Sequence, residues 1–338
     1  MLKLHQYNYT LQLIHPFSIS GNTRNSTALV FVELSYENFV GYGEASLPPY
    51  LGESQESVYA FLQKVNLNEF KFPFDADEIV VYLDSIEKGN TAAKAAVDIA
   101  LHDLIGKIAG KPCHEIFEID KSKMPVTSIT IGIDRKEVIQ QKVKEAGDFK
   151  LLKVKLGQGN DKEIIETIRE ITDKAICVDV NQGWHDKHFA LEMAHWLSEK
   201  NVIFIEQAMP KHQLNDAAWF TANSPLPHIA DEAVQRLSDI DKIKDAYDGI
   251  NIKLMKCTGL NEAMRMVKHA RAHNLKVLIG CMNESSCANM AAAQLAPMAD
   301  WVDLDGPFMI SNNPFETPQL LDGKIVLPSV PGIGVVKK

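Results

Sequence analysis

Five short apolar runs carry a charge at or beside their end: Leu152-Lys153-Val154-Lys155-Leu156, Ile176-Cys177-Val178-Asp179, Val202-Ile203-Phe204-Ile205-Glu206, His228-Ile229-Ala230-Asp231 and Ile250-Asn251-Ile252-Lys253. Two more follow, Val277-Leu278-Ile279-Gly280 and Trp301-Val302-Asp303-Leu304-Asp305. From Lys155 to Lys253 the charged ends are 24, 27, 25 and 22 residues apart. A strand, a turn and a helix fill about that length, so the spacing reads as successive βα units. Near-continuous apolar strands in such a series indicate a parallel sheet buried on both faces and closed into a barrel. Loops after the strands of a barrel build its active site, so polar residues at C-terminal strand ends are catalytic candidates.

Working backwards, Val126–Ile131 reads as the first barrel strand, with a helix over 135–147 after it. The six runs from Lys153 to Gly280 are then strands two to seven, and Trp301–Asp305 is strand eight. Helices are expected at 161–172, 187–200 and 260–273, with no helix of normal length after strand eight. The first hundred residues break this rhythm. Strands at 2–14, 27–35 and 39–45 precede helices near 54–65, 75–87 and 91–109, an α+β arrangement. The last helix shows Asn90 or Thr91 as N-cap, and Gly110 and Pro112 as its stop. The expected division is an α+β domain over 1–115, completed by a tail at about 316–338, and a barrel over 116–315.

The net charge of −9 argues against nucleic acid or an anionic membrane as the main partner. Met1–Gln6 lacks the apolar core of a secretory signal, and no apolar run reaches membrane-spanning length. Five cysteines, with no CxxC pair, suit a reducing, cytoplasmic setting.

Side chains two apart on a strand point the same way, so Lys153 and Lys155 face one side together. Lys-Val-Lys also suits a solvated edge strand, but a closed barrel has no edge. Asp179, Glu206 and Asp231 end three consecutive strands. Crowding three like charges is unfavourable unless a cation joins them, and hard oxygen donors suit Mg²⁺, with Mn²⁺ as a substitute. Lys253 ends strand six, across an eight-stranded mouth from Lys155 on strand two. Asp303 and Asp305 on strand eight lie opposite the acid of strand four. They are placed to receive the cationic end of a substrate, or else to pair with a neighbouring lysine or arginine.

The pattern Lys153-Val154-Lys155, Asp179-Val180-Asn181, Glu206-Gln207, Asp231-Glu232 and Asn251-Ile252-Lys253-Leu254-Met255-Lys256-Cys257-Thr258-Gly259 resembles the enolase superfamily, its muconate-lactonizing subgroup in particular. The helix Ala95–Lys107 is similar to the segment that joins the capping domain of these proteins to their barrel. Gly280–Ser285 and Asp303–Gly306 resemble the dipeptide epimerases of the subgroup. The resemblance implies a (β/α)7β modified TIM barrel beneath an α+β N-terminal capping domain, and one Mg²⁺ held by Asp179, Glu206 and Asp231. It places Thr130, Cys281 and Met282 against substrate and two capping loops, 18–25 and 48–53, above it. Members acting on Ala-Glu use a loop arginine for the acidic side chain, a role open to Arg24.

What this implies chemically is a dipeptide epimerase. An α-hydrogen beside a carboxylate is very weakly acidic, and a divalent ion at the carboxylate offsets the charge that develops. Enolase-superfamily sites pair a lysine or histidine base with one or two Mg²⁺ ions. Lys155 would remove the proton from one face and Lys253 return one to the other, with the ion and Lys153 depressing the pKa of Lys155. In a single amino acid the ammonium and carboxylate share one carbon and cannot reach both ends of the site, whereas an extended dipeptide spans about 7 Å. The expected substrate is Ala-Glu if Arg24 points inward, or a small apolar pair such as Ala-Ala if it does not. Peptidoglycan-derived peptides are the source the family suggests, and barrels of this group often assemble into homo-oligomers. Rival readings are an o-succinylbenzoate synthase, an N-succinylamino-acid racemase, or a non-catalytic metal-dependent binding protein. His185 and His188 read as surface residues, and Gly157-Gln158-Gly159 as a plain loop.

Overall fold

The computed structural model describes residues 1–19 and 22–338, and the side chains of all of these except 17–19, 22 and 23. The chain opens with an antiparallel sheet of β1 (Lys3–Ile19), β2 (Asn22–Tyr36) and β3 (Phe39–Ser46), in that order. β1 and β2 run past the expected limits as an arm beyond residue 14. The register shifts between Gln12 and Phe17, around Pro16, and the β2 side of the arm, residues 22–26, is wholly polar, with no alternation to announce a strand. Helices α1 (Gln55–Leu62), α2 (Ala76–Ile86) and α3 (Thr91–Ala109) follow. α3 lies flush on the sheet because Gly41 and Gly43 have no side chain. A Cβ at Gly43 would stand 1.8 Å from the Ala96 carbonyl oxygen, and one at Gly41 2.1 Å from that of Ala100.

The start of α3 departs from expectation. Asn90 sits in the left-handed region (φ 50°) and its side chain caps nothing. Glu53 does that work instead, accepting from Ala92 N (2.9 Å) and Ala93 N (3.3 Å). Gly110 closes the helix in the left-handed conformation, as expected.

After α4 (Cys113–Ile116), eight parallel strands form the second unit: β4 (Ser128–Ile131), β5 (Leu151–Lys155), β6 (Ala175–Asp179), β7 (Val202–Glu206), β8 (His228–Ala230), β9 (Gly249–Ile252), β10 (Lys276–Gly280) and β11 (Trp301–Asp303). Each pairs with the next, and a parallel bridge between Thr127 and Val302 brings the last strand back to the first. Strand eight is shorter than expected. It ends at Asp303, and Asp305 instead precedes a short 3₁₀ turn over Gly306–Phe308. Between the strands lie α5 (Lys136–Glu145), α6 (Asp161–Arg169), α7 (Lys187–Ser198), α8 (Leu214–Asn223), α9 (Ile240–Ile243), α10 (Leu260–Ala272) and α11 (Ser286–Leu295).

A buried apolar layer of Leu151, Cys177, Phe204, Ile229 and Leu278 plugs the barrel. Two residues further along their strands, on the same face, come Lys153, Asp179, Glu206 and Asp231. The polar layer therefore rests directly on the plug.

The sheet domain supplies caps to two barrel helices. Asp98 of α3 accepts from Leu260 N (2.5 Å) and Asn261 N (3.3 Å), at the start of α10. Glu44 of β3 accepts from Ser285 N (2.9 Å), Ser285 Oγ (2.5 Å) and Ala288 N (3.2 Å), at the start of α11. Phe315 packs on Phe31, and after β12 (Leu320–Leu321) and β13 (Lys324–Ile325) the tail returns to the first domain, where Ile333 N donates to Asp103 (2.9 Å). All five cysteines are free thiols. Among the described residues, no helix is long and apolar enough to cross a membrane.

Candidate active site

A cavity of about 460 Å³ opens at the C-terminal ends of the barrel strands, within the range of small-ligand sites. Arg24, Tyr50, Thr130, Lys153, Lys155, Asp231, Lys253, Cys281, Met282, Asp303 and Asp305 line it. Asp179 and Glu206 lie at its floor, fully buried and bonded to lysines that line it.

Asp179, Glu206 and Asp231 offer carboxylate oxygens that all lie within 4.8 Å of one another. Lysines hold this cluster together. Lys155 Nζ stands 2.6 Å from Asp179 Oδ2. Burial disfavours the Asp179 carboxylate, but Lys155 and Lys153 outweigh it and hold the pKa at about 2. Asp231 is gripped from both sides, Oδ2 by Lys253 (2.7 Å) and Oδ1 by Lys256 (2.5 Å). Burial opposes its charge too, and these two lysines pull its pKa well below the usual range. Glu206 differs: burial and the nearby Asp179 raise its pKa. Its Oε1 accepts from Asn251 Nδ2 (2.7 Å), whereas Oε2, 2.7 Å from Lys153 Nζ, receives no well-formed hydrogen bond. Three buried hard donors converging around an under-coordinated oxygen fit a Mg²⁺ ion. Gly280 gives the Asn251 amide its place, since a Cβ there would come within 2.6 Å of Asn251 Oδ1.

Lys153 reaches further than expected. Besides Glu206 it contacts Asp303 Oδ2 (2.8 Å) and Asp179 Oδ2 (3.2 Å). Burial disfavours its ammonium, and the carboxylates of Asp303, Glu206 and Asp179 more than reverse this, keeping it charged. Asp303 is thus ion-paired within the protein and also accepts from Ser128 Oγ (2.6 Å). The acids of strands three and four and Asp303 of strand eight are not two separate poles, because one ammonium bridges them. Asp305 accepts from Thr130 N (2.7 Å), and burial beside Asp303 raises its pKa to about 6. Lys253 is charged as well: burial opposes the ammonium, and Asp231 reverses that.

The capping domain roofs the cavity. Of the 18–25 loop, Ser20 and Gly21 lie outside the described residues, while Arg24 lines the cavity. With the Asn283 amide turned so that its oxygen faces Arg24, it accepts from Nε (3.2 Å) and Nη2 (3.0 Å). Tyr50 of the 48–53 loop donates its hydroxyl to Met282 Sδ (3.1 Å). Cys281 Sγ lies 3.7 Å from Asp305 Oδ1.

Sequence reasoning gave no role to Lys256, Asn251 or Glu232. Lys256 Nζ donates to Asp231 Oδ1, to the Asp231 carbonyl (2.8 Å) and to the Asn251 carbonyl (2.9 Å). Glu232 lines the cavity, with its pKa raised to about 7 by burial and by Asp231. The run Asn251–Gly259 held the first two residues, but only the folded register shows whom they meet.

Residues 6–117 match the family model for the mandelate racemase / muconate lactonizing enzyme N-terminal domain, and residues 134–337 match the enolase C-terminal domain-like model. The chain is 54% identical over 337 residues to an L-Ala-D/L-Glu epimerase of Bacteroides thetaiotaomicron, covering 99% of this chain and 88% of the relative. Its fold is similar to that of an N-succinyl Arg/Lys racemase from Bacillus cereus (TM-score 0.91, 27% identity, 99% of this chain and 95% of the other). A dipeptide epimerase from Cytophaga hutchinsonii, solved with Mg and the dipeptide D-Ala-L-Val, is also similar (TM-score 0.90, 26% identity, 99% and 95% covered). A lysine-and-acid cup on a parallel barrel, roofed by an α+β domain and matched along nearly the whole chain, makes this protein a member of the mandelate racemase / muconate lactonizing enzyme family of the enolase superfamily, and an isomerase of the racemase and epimerase kind.

Proposed function

We propose that this chain is a Mg²⁺-dependent epimerase of L-Ala-Glu, inverting the α-carbon of the C-terminal residue. The observation that carries the reading is that Lys155 and Lys253, from strand two and the end of strand six, line one cavity beside the three clustered acids. Asp179, Glu206 and Asp231 would hold the ion. When bound, it supplies positive charge beside the substrate carboxylate, where negative charge grows as the α-proton leaves.

The chain's own groups do the rest. Neutral Lys155 takes the α-proton at Nζ, and the C–H electron pair spreads into the adjoining carboxylate. The Lys253 ammonium then gives a proton to the opposite face, which inverts the centre. The reverse direction exchanges their roles, so the reaction consumes nothing. Lys153, kept charged by its three carboxylates, holds Asp179 and Glu206 in place beneath the substrate. Asp305, aided by Asp303, receives the substrate ammonium, and Arg24 on the cavity wall receives the Glu side chain. The 54% identity to an L-Ala-D/L-Glu epimerase supports that choice of dipeptide. Five free cysteines support a cytoplasmic setting.

A second reading draws on the existing Asp303–Lys153 pair, which already satisfies one carboxylate meant for an ammonium. An N-succinylamino acid has no ammonium and would suit that arrangement. One experiment decides between them. Dipeptides and N-succinylamino acids are incubated in D₂O with and without Mg²⁺, and α-deuterium is read by mass spectrometry. Fastest Mg²⁺-dependent exchange on Ala-Glu is the expected result. Exchange only on N-succinyl substrates, or none on any dipeptide, would overturn the proposal.

A further inference from the structure

On the outer side of the barrel, α9 and α10 bring together Asp241, His269 and His273. His269 and His273 are four residues apart, so their imidazoles share a helix face, and their ring centroids are 4.8 Å apart. Both turn Nε2 toward one oxygen: Asp241 Oδ1 lies 3.2 Å from His269 Nε2 and 3.4 Å from His273 Nε2. The three donor atoms lie within 4.8 Å of one another, and the side chains are partly exposed. Donors bound at about 2.0–2.1 Å around a tetrahedral zinc ion stand roughly 3.3 Å from each other. The two Asp–His separations already match that figure.

From this geometry we infer that Asp241, His269 and His273 form a second metal site, specific for a zinc-type transition ion and distinct from the acid cluster of the cavity. Two imidazole nitrogens and one carboxylate favour Zn²⁺, Ni²⁺ or Cu²⁺ over Mg²⁺, which prefers oxygen donors. Water completes the coordination, as the exposure of Asp241 allows. Lys244 Nζ, 3.7 Å from Asp241 Oδ1, is the cation that the metal displaces. His269 lies in the last turn of α10 and His273 is its C-cap, just before the chain enters β10, at the end of the barrel away from its mouth. The ion therefore ties α9 to α10 without touching the cavity. A stabilising tie, rather than a catalytic one, follows from that placement.

The test uses tag-free full-length protein in saturating Mg²⁺, with ZnCl₂ as the probe in calorimetry and equilibrium dialysis. Wild type is expected to bind one Zn²⁺ per chain and to melt at a higher temperature with it. His269→Ala and His273→Ala should each weaken binding by roughly tenfold or more, abolish the thermal shift and leave turnover unchanged. Absence of Zn²⁺ binding by wild type in Mg²⁺ would overturn the inference. So would Zn²⁺ binding that survives both histidine substitutions but is lost in Glu206→Gln, which would place the ion in the cavity cluster.

Discussion

Replacing Lys256 with methionine tests how the acid cluster is held. Lys256 is fully buried, and its ammonium bonds Asp231 Oδ1 (2.5 Å), the Asp231 carbonyl (2.8 Å) and the Asn251 carbonyl (2.9 Å). Burial pushes its pKa down, against the pull of Asp231, so its charge carries a desolvation cost. Methionine has nearly the same reach and relieves that cost. The Asp231 carbonyl keeps Val234 N (3.2 Å), but the Asn251 carbonyl loses its buried donor, so the loss of stability should be about 1–3 kcal/mol. Asp231 keeps Lys253 on Oδ2 but loses the bond that fixes Oδ1. Freed to rotate, it should raise the Mg²⁺ concentration for half-maximal activity by about 10–100-fold, the usual range for outer-shell changes at metal sites. Urea unfolding gives the first quantity, and Mg²⁺ titration of epimerisation gives the second. A variant within 1 kcal/mol of wild type and unchanged in its Mg²⁺ requirement would refute the view that Lys256 positions Asp231.

Arg24→Met should lower kcat/KM for L-Ala-Glu by roughly 10–100-fold, the worth of a charge-assisted hydrogen bond, and leave L-Ala-Leu nearly untouched. Equal losses on both dipeptides, measured side by side, would remove Arg24 from substrate recognition. Lys155→Ala and Lys253→Ala should each abolish net epimerisation while the surviving lysine exchanges the α-proton of one stereoisomer in D₂O; full activity in both variants would sink the two-base scheme. Glu284, whose pKa is raised to about 8 by burial and by Glu44, holds its proton in the fold far above the unfolded value of about 4.3. Its contribution is therefore intact below about pH 4.3 and is lost as pH rises toward 8. Glu284→Gln cannot ionise, so its melting temperature should gain on wild type steadily between about pH 5 and 8; a constant gap across that range would contradict the assignment.

The barrel was legible because its strands end on charges at near-regular intervals, and period two places Lys153 beside Lys155 on one face. Asp179, Glu206 and Asp231 could be grouped for the same reason, since neighbouring strands end at neighbouring places. Side-chain partners across strands were less accessible. That Lys153 spans from Glu206 to Asp303, or that Asn251 braces Glu206, depends on register and stagger that no local pattern encodes. The N-cap of α3 misled for a related reason. Asn90 has the right chemistry in the right place, but Glu53, remote in sequence, had taken the amides. The Asp241–His269–His273 cluster had half a signal in its His-x-x-x-His spacing, and its third member comes from another helix.

Two of the barrel's helices begin on carboxylates that belong to the other domain, Asp98 for α10 and Glu44 for α11. Cutting the chain between the two folding units would strip both helix starts of their acceptors. The lid and the vessel should then melt together in a single calorimetric transition, and neither half should survive expression alone. The roof loops can change in sequence while this shared masonry keeps the lysine-and-acid floor still.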